Sequence, residues 1–189
     1  MARLLCDSNS YFRLARYVTP FLGQPYGDPP FTIYVIKELD VEFSKSPRLV
    51  NKFYWVNETP HIENRADNTI CGEVDPYNLR ETIKFMKSHK YERGLGVSKV
   101  DIAVLATAYD LGITIISDDI DVQEMAADYD MTECMSSLEV VEWLHSEQVL
   151  SMALVKAIVQ TWKYEKDLPM KELAFVNTFF EWFGEVPWE

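Results

Sequence analysis

Ile113-Thr114-Ile115-Ile116-Ser117-Asp118-Asp119-Ile120-Asp121 decides the fold. Four β-branched residues in a row favour a strand, and a hydroxyl and three acids follow it at once. A turn rarely needs three carboxylates, so their position at a strand end asks for a chemical reason. Upstream, Ser98 and Asp101 have the spacing of a capping box. They open an Ala-rich helix running to Leu111, with Gly112 as its C-terminal cap. Downstream, the sequence predicts a helix over Asp121–Asp130 and a short strand over Glu133–Met135. A further helix, capped by Ser136 or Ser137, should run to about His145. Toward the amino end, Arg3–Cys6 reads as a buried strand. Asp7-Ser8-Asn9-Ser10 is its turn and helix cap, and Tyr11–Val18 a helix. Pro20–Pro30 is a Pro/Gly-rich connection. Ile36, Leu39 and Phe43 recur at helical spacing, which predicts a helix from about Thr32 to Phe43 with Glu38 in its middle. Residues 57–75 read as a loop. Asp75 caps a helix to His89 with Pro76 at its first position. Strands alternating with helices predict an α/β fold with a mainly parallel central sheet flanked by helices.

After Ser146 the character changes. Val149–Tyr164 and Met170–Phe183 are two helical stretches with no strand between them. They are rich in aromatic residues: Trp162, Phe175, Phe179, Phe180, Trp182, Phe183 and Trp188. The expected organisation is a domain over 1–145 and a C-terminal helical extension over 146–189, its aromatics packing on the domain, on a second copy or on a partner.

The chain has 189 residues and a formal net charge of −12, unevenly spread. Residues 1–100 carry 14 basic and 12 acidic side chains, and residues 101–189 carry 4 and 18, a net of −14. Such a balance opposes non-specific nucleic-acid binding while leaving room for a local basic surface in the first half. No apolar run approaches the roughly 18 residues of a membrane span, and the amino terminus lacks a signal-peptide layout. Cys6, Cys71 and Cys134 are too few and too far apart for a disulfide framework or structural zinc, and are read as buried and inert. The cytoplasm is the expected compartment.

Four acids are then candidates for one pocket: Asp7, Glu38, Asp101 and Asp119, with Asp121 beside the last. In open parallel sheets ligands bind beyond the carboxyl ends of the strands, where Asp7 and Asp119 fall. A set of carboxylate oxygens suits Mg²⁺ or Mn²⁺, and such ions serve phosphodiester hydrolysis. A phosphotransfer receiver would need an acidic pair after the first strand and a late Lys. Here only Asp7 stands there, and no Lys or Arg lies between Lys99 and Lys156. A dehalogenase-type phosphatase needs Asp-x-Asp, whereas Asn9 holds the second position. No P-loop is present.

Over residues 3–130 the chain resembles the PIN-domain nucleases. The matching residues are Asp7-Ser8-Asn9 after the first strand, Ile36-Lys37-Glu38-Leu39, Ser98 to Asp101 opening an Ala-rich helix, and Ser117-Asp118-Asp119-Ile120-Asp121. Val122 stands where Phe is usual. The resemblance implies a PIN-like fold and an Mg²⁺- or Mn²⁺-dependent endoribonuclease leaving 5′-phosphate and 3′-hydroxyl ends. Asp7, Glu38, Asp101 and Asp119 would bind metal and Asp121 would assist, while Asn9 and Ser117 orient ligands. It also implies an RNA substrate, a toxin of a toxin–antitoxin pair with an antitoxin or other protein partner, and a homodimer. Arg80, Lys84 and Lys87 recur at helical spacing, either as a solvated helix face or as a basic stripe holding RNA phosphate. Tyr77, Phe85 and Tyr91 nearby are expected in the core, with base stacking as the alternative. The competing reading is a catalytically silent PIN-fold interaction module acting through the acidic half or the aromatic tail.

Overall fold

The structure, a computed structural model, describes residues 2–131 and 134–188. Four parallel strands form one sheet in the order β3-β2-β1-β4, with β1 at Ala2–Cys6, β2 at Phe31–Ile36, β3 at Thr69–Ile70 and β4 at Thr114–Ile116. β1 pairs with β2 from Ala2 opposite Phe31, and with β4 from Leu4 opposite Thr114. Neighbouring residues point to opposite faces of a strand, so two cores form. Leu4, Cys6, Ile33, Val35 and Ile116 join one buried cluster, and Leu5, Ile36 and Ile115 the other. The α/β class with a mainly parallel sheet is therefore the observed one.

Helices connect and cover the strands. α1 (Ser8–Leu14) follows β1, and α2 (Glu38–Lys45) follows β2. Next come α3 (Pro47–Lys52), a 3₁₀ turn at Tyr54–Asn57 and α4 (Thr59–Asp67). α5 (Pro76–Arg93) and α6 (Lys99–Leu111) form an antiparallel pair before β4, and α7 (Ile120–Asp128) and α8 (Ser137–Ser146) follow it. α9 (Met152–Tyr164) and α10 (Glu172–Phe183) close the chain. Trp162, Phe175 and Phe179 of these last helices are buried in the same cluster as Leu4 and Ile33. No helix among the described residues is long and apolar enough to cross a membrane.

Local signals were reliable. The capping boxes Ser98/Asp101 and Ser136/Glu139 are both formed, Asp75 caps α5, and Gly112 ends α6 at φ +64°. Three expectations need correction. Residues 32–43 are not one helix: Phe31–Ile36 is a strand, and α2 starts at Glu38. The run Phe31-Thr32-Ile33-Tyr34-Val35-Ile36 is β-branched and aromatic, and all of it but Tyr34 is buried between β1 and β3. Leu39 and Phe43 are the buried face of α2 alone. Residues 57–75 are not a loop, since they hold α4 and β3. Cys71 is exposed, not buried. Of the expected strand Glu133–Met135, Glu133 lies outside the described residues, and Met135 makes a single parallel bridge to Ile116.

Candidate metal centre

All four strands run the same way, so the residues following each of them gather at one edge of the sheet. Asp7 stands one residue beyond β1. Its N–H donates to Ile116 O (3.0 Å), and its Oδ1 accepts from Ser10 N (2.7 Å) as the N-cap of α1. The residue is 2% exposed. Burial pushes its carboxyl up from 3.8 to about 6, the hydrogen bonds from Ser117 and Ser10 oppose the rise, and the nearby Asp118 charge adds to it. Burial, and then the charge of Asp7, likewise hold the Cys6 thiol well above its ordinary range.

Ser117 is fully buried at the end of β4. Its hydroxyl bonds the Asp7 carboxyl, and its Oγ accepts from Asp119 N at 3.2 Å. One side chain thus ties two candidate acids together. Asp119 is the N-cap of α7, its Oδ1 accepting from Asp121 N (2.8 Å) and Val122 N (3.4 Å). Asp121 Oδ2 accepts from Gly96 N at 2.7 Å. A Cβ at position 96 would stand 2.6 Å from that oxygen, so glycine is what permits the approach. Two residues on, Ser98 N donates to Asp101 Oδ2 at 2.8 Å. The 96–98 segment therefore holds Asp121 and Asp101 as Ser117 holds Asp7 and Asp119.

Glu38 follows β2 at the same edge as the first residue of α2. It lines a cavity of about 110 Å³ together with Ile36, Cys71, and Ala103 and Thr107 of α6. No hydrogen bond joins it to the other acids among the described residues. Asn9 is exposed in the first turn of α1. Arg80, Lys84 and Lys87 are exposed on α5. Tyr77, Phe85 and Tyr91, expected in the core, are 66%, 67% and 78% exposed. The core face of α5 is made instead by Leu79, Ile83 and Met86.

Asp118, grouped in sequence with Asp119 and Asp121, is separated from them by its partners. Its Oδ2 takes a 2.6 Å ion pair from Arg13 and the Ser137 hydroxyl, and its Oδ1 accepts from Ser137 N at 2.8 Å. Arg13 also bonds the backbone and side chain of Asp167 (3.0 and 3.1 Å), and Lys52 reaches Asp167 at 3.2 Å. The clamp fixes the start of α8 and the α9–α10 connection to the sheet edge. Sequence reasoning missed it because its members lie up to 154 residues apart.

Asp101, Asp119 and Asp121 each commit one oxygen to a backbone N–H, and a carboxylate has two oxygens with about four lone-pair sites. The donor chemistry fits a hard divalent cation. Among the described residues, however, no three His, Cys, Asp or Glu side chains stand in a grouping that could hold a metal ion. No family model matches the sequence, and no curated protein matches it. A solved structure to which the chain is similar is the crystal structure of FitAcB from Neisseria gonorrhoeae. The two are 15% identical, the match covers 71% of this chain and 98% of that one, and the TM-score is 0.46. The fold described above rests on the chain's own strand pairing.

Proposed function

We propose that the protein is a PIN-like, divalent-metal-dependent endoribonuclease that hydrolyses phosphodiester bonds. The observation that carries this is Asp7: a carboxylate at the end of the central strand β1, buried, with its proton held to about pH 6, and linked through Ser117 to Asp119. A buried acid next to a second negative charge is unfavourable on its own, and a bound cation relieves both terms. Asp7, Glu38, Asp101 and Asp119, with Asp121, would supply the ligand oxygens for Mg²⁺ or Mn²⁺. When bound, such an ion lowers the pKa of water and neutralises developing phosphate charge. The chain's own contribution is positional. Ser117 meets the Asp7 carboxyl and accepts from the Asp119 amide, the Gly96 and Ser98 amides hold the Asp121 and Asp101 carboxylates, and Asn9, exposed two residues after Asp7, would orient a ligand.

The test is cleavage of labelled RNA on a denaturing gel with and without Mn²⁺, for wild type, Asp7→Asn and Asp101→Asn. Metal-dependent cleavage lost in both variants supports the reading, and activity surviving both overturns it. A second reading draws on α10, where Leu173 and Phe180 are 75% and 57% exposed on one face. It is a catalytically silent module whose apolar α10 face binds a partner protein, an antitoxin-like chain or a second copy. Metal-independent absence of cleavage, together with partner capture abolished by Phe180→Ser, favours it.

A further inference from the structure

Five residues of α5 recur at alternating spacings of three and four: Tyr77, Arg80, Lys84, Lys87 and Tyr91. At 3.6 residues per turn they form one stripe, about 21 Å long at 1.5 Å per residue. All five are exposed. Arg80 and Lys87 make no ion pair among the described residues. Lys84 pairs only with Glu81 (2.6 Å), with both side chains well exposed, which holds it weakly. The remaining cations of α5 are engaged elsewhere: Arg93 pairs with Asp128 at 2.9 Å, and Lys90 bonds Val97 O.

We infer that this stripe is the docking surface for a single-stranded polynucleotide, with the three cations on its phosphates and the two tyrosines stacked on its bases. Charge complementarity selects the occupant. In a chain of net charge −12, a polyanion is repelled from most of the surface and admitted where three cations stand in line. The rings select single strands, because paired bases offer no free face. Position connects the stripe to the acids. α5 ends two residues beyond Tyr91, and the segment that follows donates Gly96 N to Asp121 and leads into the cap holding Asp101. A strand lying along α5 is thereby led to the sheet edge. This inference rests on the nuclease reading only for what happens at that edge, since binding along α5 stands without it.

The experiment is fluorescence anisotropy with the full chain in EDTA, using a labelled 12-mer of uridine, its DNA counterpart and an RNA duplex across a KCl series. The proteins are wild type, Arg80→Gln/Lys84→Gln/Lys87→Gln and Tyr77→Ala/Tyr91→Ala, each checked for folding by circular dichroism. The triple variant is expected to lower the slope of log affinity against log salt by about 2, at roughly 0.7 per phosphate contact. The tyrosine variant is expected to bind about fivefold or more weakly per ring with its slope unchanged. If a multiple variant unfolds, Lys87→Gln and Tyr91→Ala replace it. Equal binding of the RNA and DNA strands supports a stripe that reads bases and phosphates without the 2′-hydroxyl. Wild type failing to bind the single strands, binding the duplex more tightly, or being matched by the variants overturns the inference. Binding that follows this pattern in a protein that never cleaves RNA overturns the nuclease reading alone.

Discussion

Asp7 carries its proton to about pH 6 because the sheet edge strips its water and the Ser10 amide and Ser117 hydroxyl return only part of that hydration. The sign of its effect on stability follows. Between pH 3.8 and about 6 the unfolded chain has released this proton and the folded chain has not, so stability falls as pH rises through that window. Above it the full cost, about 3 kcal/mol, is present. Asn caps a helix as well as Asp does. Asp7→Asn should therefore melt above wild type at pH 7, with the gain vanishing below about pH 4. Thermal melts across that range decide it, and a pH-independent difference contradicts the assignment. Neighbouring acids should behave differently. Asp118→Ala leaves the largely buried Arg13 short of a partner and removes the acceptor at the start of α8, so it should cost about 3 kcal/mol. Asp119→Ala loses only the α7 cap, about 1 kcal/mol, yet should abolish cleavage. Urea denaturation beside the nuclease assay separates the two, and equal stability losses would contradict the division of roles.

The elements that declare themselves in sequence are those set by local chemistry. Ser98 with Asp101, Ser136 with Glu139, Asp75 before Pro76, and Gly112 each satisfy a helix end within a few residues. The strand β2 escaped because its last residue, Ile36, falls in register with the buried face of α2, so one helical period spanned both. α4 escaped for another reason: its interior is polar. Arg65 is 4% exposed, donating to Asp40 Oδ1 (2.8 Å), the Tyr11 hydroxyl (3.2 Å) and the carbonyls of Val56 (3.0 Å) and His61 (3.1 Å). A helix whose buried side chains are His61 and Arg65, with Asn64 bonded to the Leu22 backbone, shows no apolar periodicity. Arg65→Met should cost about 2–4 kcal/mol by leaving those acceptors unsatisfied. A lower urea midpoint with an unchanged denaturant slope is the expected result, and an unmoved midpoint would show that α4 docks by other contacts.

Across the molecule, the parallel sheet brings Asp7, Glu38 and Asp119, which follow β1, β2 and β4, to one edge, and the segment leading to Asp101 bonds Asp121 through Gly96 N. For Asp7 and Asp119 that much was legible, because strand-end position is a local property, whereas Glu38 was read into the middle of a helix whose first part is the strand β2. The resemblance picks Asp119 over Asp118 by register; what sequence could not show is that Asp118 is taken by Arg13 and Ser137, since that clamp is a contact between distant segments. Nor could it show that Tyr77 and Tyr91 turn outward, since both faces of α5 carry aromatic or apolar residues. The same clamp and the burial of Trp162, Phe175 and Phe179 fasten the C-terminal helices to the sheet. α5 adds an exposed face carrying Arg80, Lys84 and Lys87, and the segment that follows it reaches Asp121. The central claim is that the edge acids act together on one divalent cation. It is tested most directly by Mn²⁺ titration followed by electron paramagnetic resonance for wild type, Asp7→Asn and Asp101→Asn. Wild type should take up Mn²⁺ at a site that each substitution weakens by about tenfold or more. Equal uptake by all three proteins, or uptake by none, contradicts the account.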